Sequence, residues 1–488
     1  MPSRSYHPWA RLRHLGANYG GLMGCAGSVE SQPPPLEPVK KIDTGVLAKH
    51  GALGQLTIID SKTALVVGQY GVCVLDVSDP NDVRCLTKVK VAGSREFASR
   101  ITLLPNSTIA LVTGSYGVDI LDYADPAHTK KVTHIDPGVI DQEARTVIAD
   151  HRTALVVGAF GVEILDISDP NNVRWLAKVK MGVCTRMSSN RITLIPNSTI
   201  AIVTGGDGVA TLDYGDPVNT KHVQAMIDTD VLTKSGSGRT TVIDSTTALV
   251  VGNRGVCVLN ISDPSNVQKL VKIDNTGVLS REHAHTSHHG DGRVTVVGTR
   301  AIIVGKEGLA VLDLSEPANA KKVANLMWGE TTGKANAKKI GWDYYYVGGP
   351  LTLMPDGRYG LIMGGHGPFV IDLLDIDQPV WAHGLSFDLV HDCNPYSTVF
   401  IDGYAYVLRG ENTVSCLDMR NPASLAHAGE LKYDVGYGGG RIYQIAEKHV
   451  LIVGGLGVQV MKITPPGEAT AMPAATATMP AATAAAMP

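Results

Sequence analysis

One short pattern recurs nine times along this chain of 488 residues and constrains its fold more than any other feature. The first copy, residues 64–80, reads ALVVGQYGVCVLDVSDP. The second glycine of its Gly-x-x-Gly step recurs at intervals of 44 to 59 residues, with a threonine in the eighth unit. A repeat of about 45 residues, built from short apolar runs and tight turns, is typical of a β-propeller or a related array. The nine positions are Gly71, Gly117, Gly161, Gly208, Gly255, Gly308, Gly367, Thr413 and Gly457.

Each unit contains four short runs rich in Val, Ile and Leu, which in unit 1 cover residues 55–59, 63–67, 72–77 and 84–91. Apolar, β-branched runs of this length, bounded by Gly, Asp, Asn, Ser and Pro, predict β-strands. The runs are apolar on both faces, which suits sheets packed between neighbouring sheets. A proline follows the third run of every unit and ends that strand, because proline cannot donate to a sheet.

The two ends of the repeat region favour a closed ring over an open solenoid. The ninth unit stops after its third run, whereas residues 39–47 (VKKIDTGVL) match the fourth run of unit 5, residues 271–279 (VKIDNTGVL). Residues 38–43 are therefore predicted to complete the blade formed by residues 441–464 and to remove both exposed sheet edges. The sequence predicts an all-β, closed β-propeller of about nine four-stranded blades, with the ring closed by an N-terminal strand.

The repeat also resembles a known family. The pattern Gly-x-x-Gly-(Val/Leu)-x-(Val/Ile)-Leu-Asp-(Ile/Val)-Ser-Asp-Pro is similar to the LVIVD repeat, and residues 143–147 (EARTV) resemble the Ala-Arg-x-Val segment that precedes it. The resemblance covers residues 38–466. It implies a β-propeller that acts as a binding scaffold, in proteins that are often exported or surface-associated.

The segments outside the repeats have their own composition. Residues 467–488 contain almost only Ala, Thr, Met and Pro and are predicted to be a disordered tail. Residues 1–37 form a leader in which residues 22–25 (LMGC) resemble a lipoprotein cleavage box, but residues 7–21 are too polar for the core of a convincing signal peptide. Lipoprotein export, an organellar leader and a plain disordered tail all remain open, as do the compartment and the oligomeric state.

Composition restricts the partners. A formal net charge of −3 gives no broad attraction to nucleic acid. The chain has no apolar stretch long enough for a transmembrane segment. Most of its seven cysteines are interpreted as small buried hydrophobic residues, and Cys73 and Cys257 fall in non-adjacent blades and should not pair.

An arginine begins the first strand of most units, and first strands line the central channel of a propeller. Guanidinium groups at the channel mouth would bind an anion or a carboxylate-rich partner. The alternative is a structural belt in which the arginines pair with aspartates that end the fourth strands. The arginines are Arg100, Arg145, Arg191, Arg239, Arg293 and Arg441; the aspartates are Asp43, Asp136, Asp228, Asp274, Asp388 and Asp434.

Two insertions interrupt the period in adjacent connections of the same type, so they are predicted to emerge side by side on one face. The insertion between units 6 and 7 is rich in aromatic residues, which suit a recognition surface; alternatively, it packs onto the blade. Its aromatic residues are Trp328, Trp342, Tyr344, Tyr345 and Tyr346.

The insertion between units 5 and 6 is rich in histidine and would offer ligands for Zn²⁺ or another divalent metal. Its spacing matches no known site, so a solvated polar loop is the alternative and no cofactor is predicted. The candidate ligands are His283, His285, His288, His289 and Asp291.

These features predict a non-enzymatic scaffold that binds a protein or other macromolecular partner through the inserted loops on one face. The alternative is a hydrolase or metal-dependent enzyme that uses the channel mouth, and it requires the histidine-rich side chains to converge near a deep pocket. The aspartates that end the third strands are interpreted as caps of their own turns rather than as calcium ligands.

Overall fold

A computed structural model confirms the ring of nine four-stranded antiparallel blades. It describes residues 36–47, 54–91, 99–136, 138, 140, 144–185, 190–232, 238–274, 276, 278–279, 292–305, 307–327, 351–354, 356–364, 367–384, 393–409, 412–435 and 440–463. Blades are numbered here in chain order, and the first strand of each is its innermost.

The strands of the first five blades are as follows. Blade 1 contains β2 (Gln55–Ile58), β3 (Thr63–Val67), β4 (Val72–Asp76) and β5 (Arg84–Val89). Blade 2 contains β6 (Arg100–Leu103), β7 (Ile109–Gly114), β8 (Gly117–Asp122) and β9 (Lys130–Ile135). Blade 3 contains β10 (Arg145–Ile148), β11 (Thr153–Gly158), β12 (Gly161–Asp166) and β13 (Arg174–Lys180). Blade 4 contains β14 (Arg191–Leu194), β15 (Ile200–Gly205), β16 (Gly208–Asp213) and β17 (Lys221–Ile227). Blade 5 contains β18 (Arg239–Val242), β19 (Thr247–Gly252), β20 (Gly255–Asn260) and β21 (Gln268–Ile273).

The remaining blades follow the same order. Blade 6 contains β22 (Arg293–Val297), β23 (Arg300–Val304), β24 (Gly308–Asp313) and β25 (Lys321–Met327). Blade 7 contains β26 (Leu351–Leu353), β27 (Tyr359–Gly364), β28 (Gly367–Asp372) and β29 (Val380–Gly384). Blade 8 contains β30 (Cys393–Ile401), β31 (Tyr404–Arg409), β32 (Thr413–Asp418) and β33 (Ala426–Lys432). Blade 9 contains β34 (Arg441–Ala446), β35 (His449–Gly454), β36 (Gly457–Ile463) and, as its outer strand, β1 (Leu36–Ile42).

Short 3₁₀ turns begin at the repeated prolines of five blades. They span Pro126–His128, Pro170–Asn172, Pro264–Asn266, Pro317–Asn319 and Pro422–Ser424. Across the described residues, no helix has the length and apolar content needed to cross a membrane.

The N-terminal strand closes the ring in the predicted way. β1 pairs antiparallel with β36, from Leu36 opposite Ile463 to Ile42 opposite Val458, and it begins two residues before the predicted position 38. One cluster of buried apolar side chains then joins blade 9 to blade 1. Lys40 of β1 also forms an ion pair with Asp82 of blade 1, with a nitrogen–oxygen distance of 2.6 Å. We call this interface the closure seam.

The core consists of nine such clusters, one in each interface between neighbouring blades. Second and third strands are buried on both faces: every described side chain of β7 and β11 is buried. First strands such as β6 and β10 are half-buried because they line the channel. This layering explains why the repeat is apolar on both sides of its central strands.

The two glycines of the Gly-x-x-Gly step meet different requirements. A Cβ on Gly68 would lie 2.3 Å from the carbonyl oxygen of Val46, in the connection that enters the blade. Gly255 has a φ of +142°, and a Cβ there would lie 2.4 Å from the carbonyl oxygen of Ile273. The first glycine therefore permits packing against the incoming connection, and the second permits a positive φ beside the fourth strand.

Candidate binding face

One face of the ring carries both the fourth-to-first connections and the second-to-third hairpins, because adjacent strands are antiparallel. We call it the connection face. Backbone hydrogen bonds join its two loop types: the Tyr70 N–H donates to the Val46 carbonyl over 2.9 Å, and the Leu456 N–H donates to the Val435 carbonyl over 2.7 Å. These bonds fix each hairpin tip against the connection that enters its blade.

The six predicted arginines occupy one register position at the start of the innermost strand, on the connection face. Arg145 lies opposite Val157 and Arg239 opposite Val251, and the other four hold the equivalent position. In blade 1 that position belongs to Gln55. Five of the arginines lie in consecutive blades 2 to 6 and the sixth in blade 9. All six side chains are half-buried with their Nε atoms fully buried: Arg100, Arg145, Arg191, Arg239, Arg293 and Arg441.

Hydrogen bonds between the second strand of one blade and the innermost strand of the next brace the wall that holds these arginines. The hydroxyls of Thr113 and Thr146 are 2.6 Å apart between blades 2 and 3. The hydroxyls of Thr204 and Thr240 are 2.5 Å apart between blades 4 and 5. Thr146 directly follows Arg145, and Thr240 directly follows Arg239. These hydrogen bonds therefore hold neighbouring blades together next to the arginines.

The fourth-strand aspartates form an exposed outer rim on the same face, and three of them accept a backbone N–H from two residues further along the chain. The side chain of Asp43 accepts the N–H of Gly45, that of Asp136 accepts the N–H of Gly138, and that of Asp228 accepts the N–H of Asp230. Lys272 pairs with Asp274 and Lys41 with Asp434. Asp388 lies outside the described residues. The pairing of these aspartates with the arginines stays a prediction.

The hairpin tips add an apolar arc that was not predicted from the sequence. The second variable residue of Gly-x-x-Gly is apolar or aromatic, and at least 39% exposed, in four consecutive blades. The equivalent tips of blades 4 to 6 are polar or charged: Asp207, Arg254 and Glu307. The repeat itself contains the pattern that indicates this arc: large apolar residues occupy a position in the turn, where the fold leaves them exposed. The arc comprises Leu456 in blade 9, Tyr70 in blade 1, Tyr116 in blade 2 and Phe160 in blade 3.

The predicted loop residues lie outside the described residues: Trp328, Trp342, Tyr344, Tyr345 and Tyr346, and His283, His285, His288, His289 and Asp291. The strands that flank them are described. β21 and β22 flank the histidine-rich insertion, and β25 and β26 flank the aromatic one. Both insertions therefore leave and rejoin the ring on the connection face. Within the described part of the chain, no three His, Cys, Asp or Glu side chains are grouped to hold a metal ion.

On the opposite face, the third-strand aspartates cap their own turns, as interpreted from the sequence. Asp76 accepts the N–H of Ser78 over 3.0 Å and also contacts Arg84. Asp372 accepts the N–H of Leu374 over 2.9 Å and pairs with Arg358. The hydrogen bond from Arg358 holds the pKa of the Asp372 carboxyl below its usual value. These carboxylates therefore stabilise the turns that follow the third strands.

Comparisons with known proteins add only similarity of fold. No protein-family model and no curated protein sequence matches the chain. Among solved structures, BamB from Moraxella catarrhalis is 12% identical, with 75% of this chain and 96% of that chain covered and a TM-score of 0.46. The WD40 domain of SCAP from fission yeast is 11% identical, with 89% and 99% covered and a TM-score of 0.40. The C-terminal WD40 domain of Sif2 is 9% identical, with 89% and 99% covered and a TM-score of 0.46. Similarities this distant carry no inference about partners.

Proposed function

We propose that this protein is a non-enzymatic scaffold that binds an acidic segment of a macromolecular partner on its connection face. The observation that carries the proposal is the repeated arginine: six blades place one at the same register position, at the start of the strand that lines the channel. The LVIVD-like repeat supports a scaffold role and, we propose, membership of that family.

The burial of the arginines favours binding over simple solvation. Nε is fully buried in all six residues, so each side chain is held along the wall rather than extended into water. A guanidinium held in place loses less conformational freedom when it binds a carboxylate, and its planar fork suits a bidentate contact. Charge-assisted hydrogen bonds of this kind are roughly twice as strong as neutral ones.

The charge pattern of the face favours a narrow partner segment. The inner arginines are surrounded by the exposed aspartates of the outer rim, such as Asp136 and Asp228. A broad acidic surface would be repelled by this rim, whereas a single acidic segment would pass it and reach the arginines. Like charges placed together disfavour a wrong partner, which makes the rim a source of specificity.

The apolar arc and the arginines overlap in blades 2 and 3. Tyr116 shares blade 2 with Arg100, and Phe160 shares blade 3 with Arg145. Tyrosine and phenylalanine bury a large area with few rotatable bonds and are common anchors of interfaces. A partner segment with acidic residues followed by apolar ones would match both features. The aromatic residues Trp328 to Tyr346 would extend this surface from the connection between blades 6 and 7.

Site-specific photo-crosslinking tests the proposed face. A photoreactive phenylalanine analogue replaces Tyr116 on the connection face or, as the matched control, Val218 in a third-to-fourth turn on the opposite face. Both sites are well exposed, at 48% and 62%. In extract from the native source, we expect one partner to be captured only from position 116, with the crosslink in an acidic segment. Capture from position 218 alone, or in a segment without acidic residues, would contradict the proposal.

A further inference from the structure

Two cysteines of blade 1 lie in direct contact. Cys73 is on β4 and Cys85 is on the neighbouring β5, and their Sγ atoms are 2.7 Å apart. Cys73 is fully buried and Cys85 is half-buried. The sequence predicted that Cys73 is a small buried hydrophobic residue that does not pair with Cys257, and it did not predict the contact with Cys85.

The strand register explains the contact. Leu75 lies opposite Cys85 and Cys73 lies opposite Lys88, with a bulge between Val74 and Leu75. Directly opposed side chains share a face of the sheet, and side chains two residues apart along a strand share a face as well. Cys73 and Cys85 are therefore on the same face, as diagonal neighbours. A bulge increases the local twist, which suits the approach of such neighbours.

Both sulfurs lie at the closure seam. Cys73 belongs to the buried cluster that joins blade 1 to blade 9, and Cys85 packs against that cluster. The same cluster includes Ile42 of β1. Lys88, opposite Cys73, reaches across the seam and donates to the Asp43 carbonyl over 3.3 Å. A covalent bond between these cysteines would therefore fasten the third and fourth strands where the ring is closed.

The repeat provides an internal comparison. Cys257 of blade 5 holds the position of Cys73 and likewise faces a lysine, Lys272. The position equivalent to Cys85 is Lys269 in that blade, opposite Leu259. Burial raises the pKa of the Cys257 thiol to about 11, so this cysteine is buried in a similar way, and a lysine occupies the position at which blade 1 has its second thiol. Blade 1 thus differs from blade 5 by the added thiol of Cys85.

We propose that Cys73 and Cys85 form a disulfide when the protein meets a small-molecule disulfide oxidant such as oxidised glutathione. The more exposed Cys85 loses its proton to solvent and attacks one sulfur of the oxidant, which releases one thiolate. Cys73 then loses its proton and attacks the Cys85 sulfur of the mixed disulfide, which releases the second thiolate. Two protein thiols become one disulfide, and the oxidant is reduced to two thiols.

The surroundings of Cys73 set the order and the pace of these steps. Burial is the main reason that the pKa of the Cys73 thiol is well above its usual value, and the positive charge of Lys88 opposes that increase. The thiolate is the attacking species, so the second step is expected to be the slow one and to accelerate as pH rises.

The test uses the full-length protein incubated with oxidised or reduced glutathione, then denatured, alkylated and digested. We expect the oxidised sample to contain one new disulfide-linked peptide pair, Cys73 with Cys85, while the other cysteines remain alkylated. The native protein should show a melting temperature higher by roughly 3–6 °C, reversed by dithiothreitol. Cys257→Ser should retain this shift, and Cys85→Ser should lose it.

Two results would overturn the proposal. One is full alkylation of both cysteines after oxidation, or a glutathione adduct on Cys85 that never resolves. The other is a melting shift that persists in Cys85→Ser. Cys85 is half-buried, so its replacement should leave a folded protein; if it does not, the peptide analysis of the wild-type protein decides the question alone.

Discussion

Glu163 is a buried carboxyl group whose replacement should change how stability depends on pH. It lies on β12 in the interface between blades 2 and 3, with no exposed surface. Neither carboxylate oxygen has a hydrogen-bond partner among the described residues. Burial raises its pKa from 4.5 to about 8, the charge of Lys178 directly opposite lowers it, and the charge of Asp136 raises it.

The raised pKa fixes the sign of the effect. Between pH 4.5 and about 8, the folded protein keeps a proton that the unfolded chain has released. The free energy of unfolding therefore falls as pH rises through this window and is constant above it. Each pH unit between the two pKa values corresponds to about 1.4 kcal/mol, which sets an upper limit of about 5 kcal/mol, and relaxation around the charge reduces it to about 2–4 kcal/mol.

Glu163→Gln keeps the shape of the side chain and removes this titration. We expect the difference in unfolding free energy between the variant and the wild type to increase steadily from pH 5 to 8 and to level off at pH 9. Denaturant unfolding at matched ionic strength measures it. A cost of burying the amide that does not depend on pH shifts this difference by a constant and leaves its dependence on pH unchanged. Lys178→Met in the wild-type background should move the plateau to higher pH. A difference that does not vary with pH would refute the assignment of Glu163 as a buried, protonated carboxyl.

Two further predictions concern the closure seam. Removing residues 1–42 deletes β1, including the buried Leu36 and Ile42, and should lower the free energy of unfolding by about 3–6 kcal/mol. Removing residues 1–35 should have almost no effect. Thermal melts of the two truncated proteins measure the difference. Gly457→Ala places a Cβ 2.4 Å from the carbonyl oxygen of Ile42 at a φ of +141°, and should lower the free energy of unfolding in denaturant by about 2–4 kcal/mol. The control Gly182→Ala should be nearly neutral, because nothing lies within 4 Å of a Cβ there. Equal effects of the two substitutions would contradict the geometry of the closure seam.

The architecture could be predicted because it depends on local signals that repeat. The complete glycine step appears in eight units and the proline after the third strand in all nine, so an ambiguous unit can be interpreted from the others. The closure strand was also predictable, since residues 39–47 copy a fourth strand found elsewhere in the chain. β1 and its pairing with β36 follow that expectation.

The candidate site was predictable only in part. The shared register position of the arginines followed from the repeat, because each arginine begins the first strand of its unit. The exposure of Tyr70 and Tyr116 did not, since burial of a turn residue depends on how the hairpin meets the incoming connection. The Cys73–Cys85 contact depends on a bulge between β4 and β5, and bulges leave little trace in a sequence. Buried Glu163 was not predicted, because its strand position carries different residues in different blades.

Binding of an acidic peptide by charge-matched variants tests the central claim most directly. The probe is a fluorescent peptide of glutamates followed by phenylalanines, titrated at several salt concentrations. Arg145→Met, Arg191→Met and Arg239→Met together remove three charges from the channel mouth. Arg84→Met, Arg174→Met and Arg358→Met remove three charges that pair with turn aspartates on the opposite face. We predict a loss of affinity of about 10–100-fold for the first set and a change of less than about threefold for the second. Equal losses in the two variants, or no binding by the wild-type protein, would contradict the account.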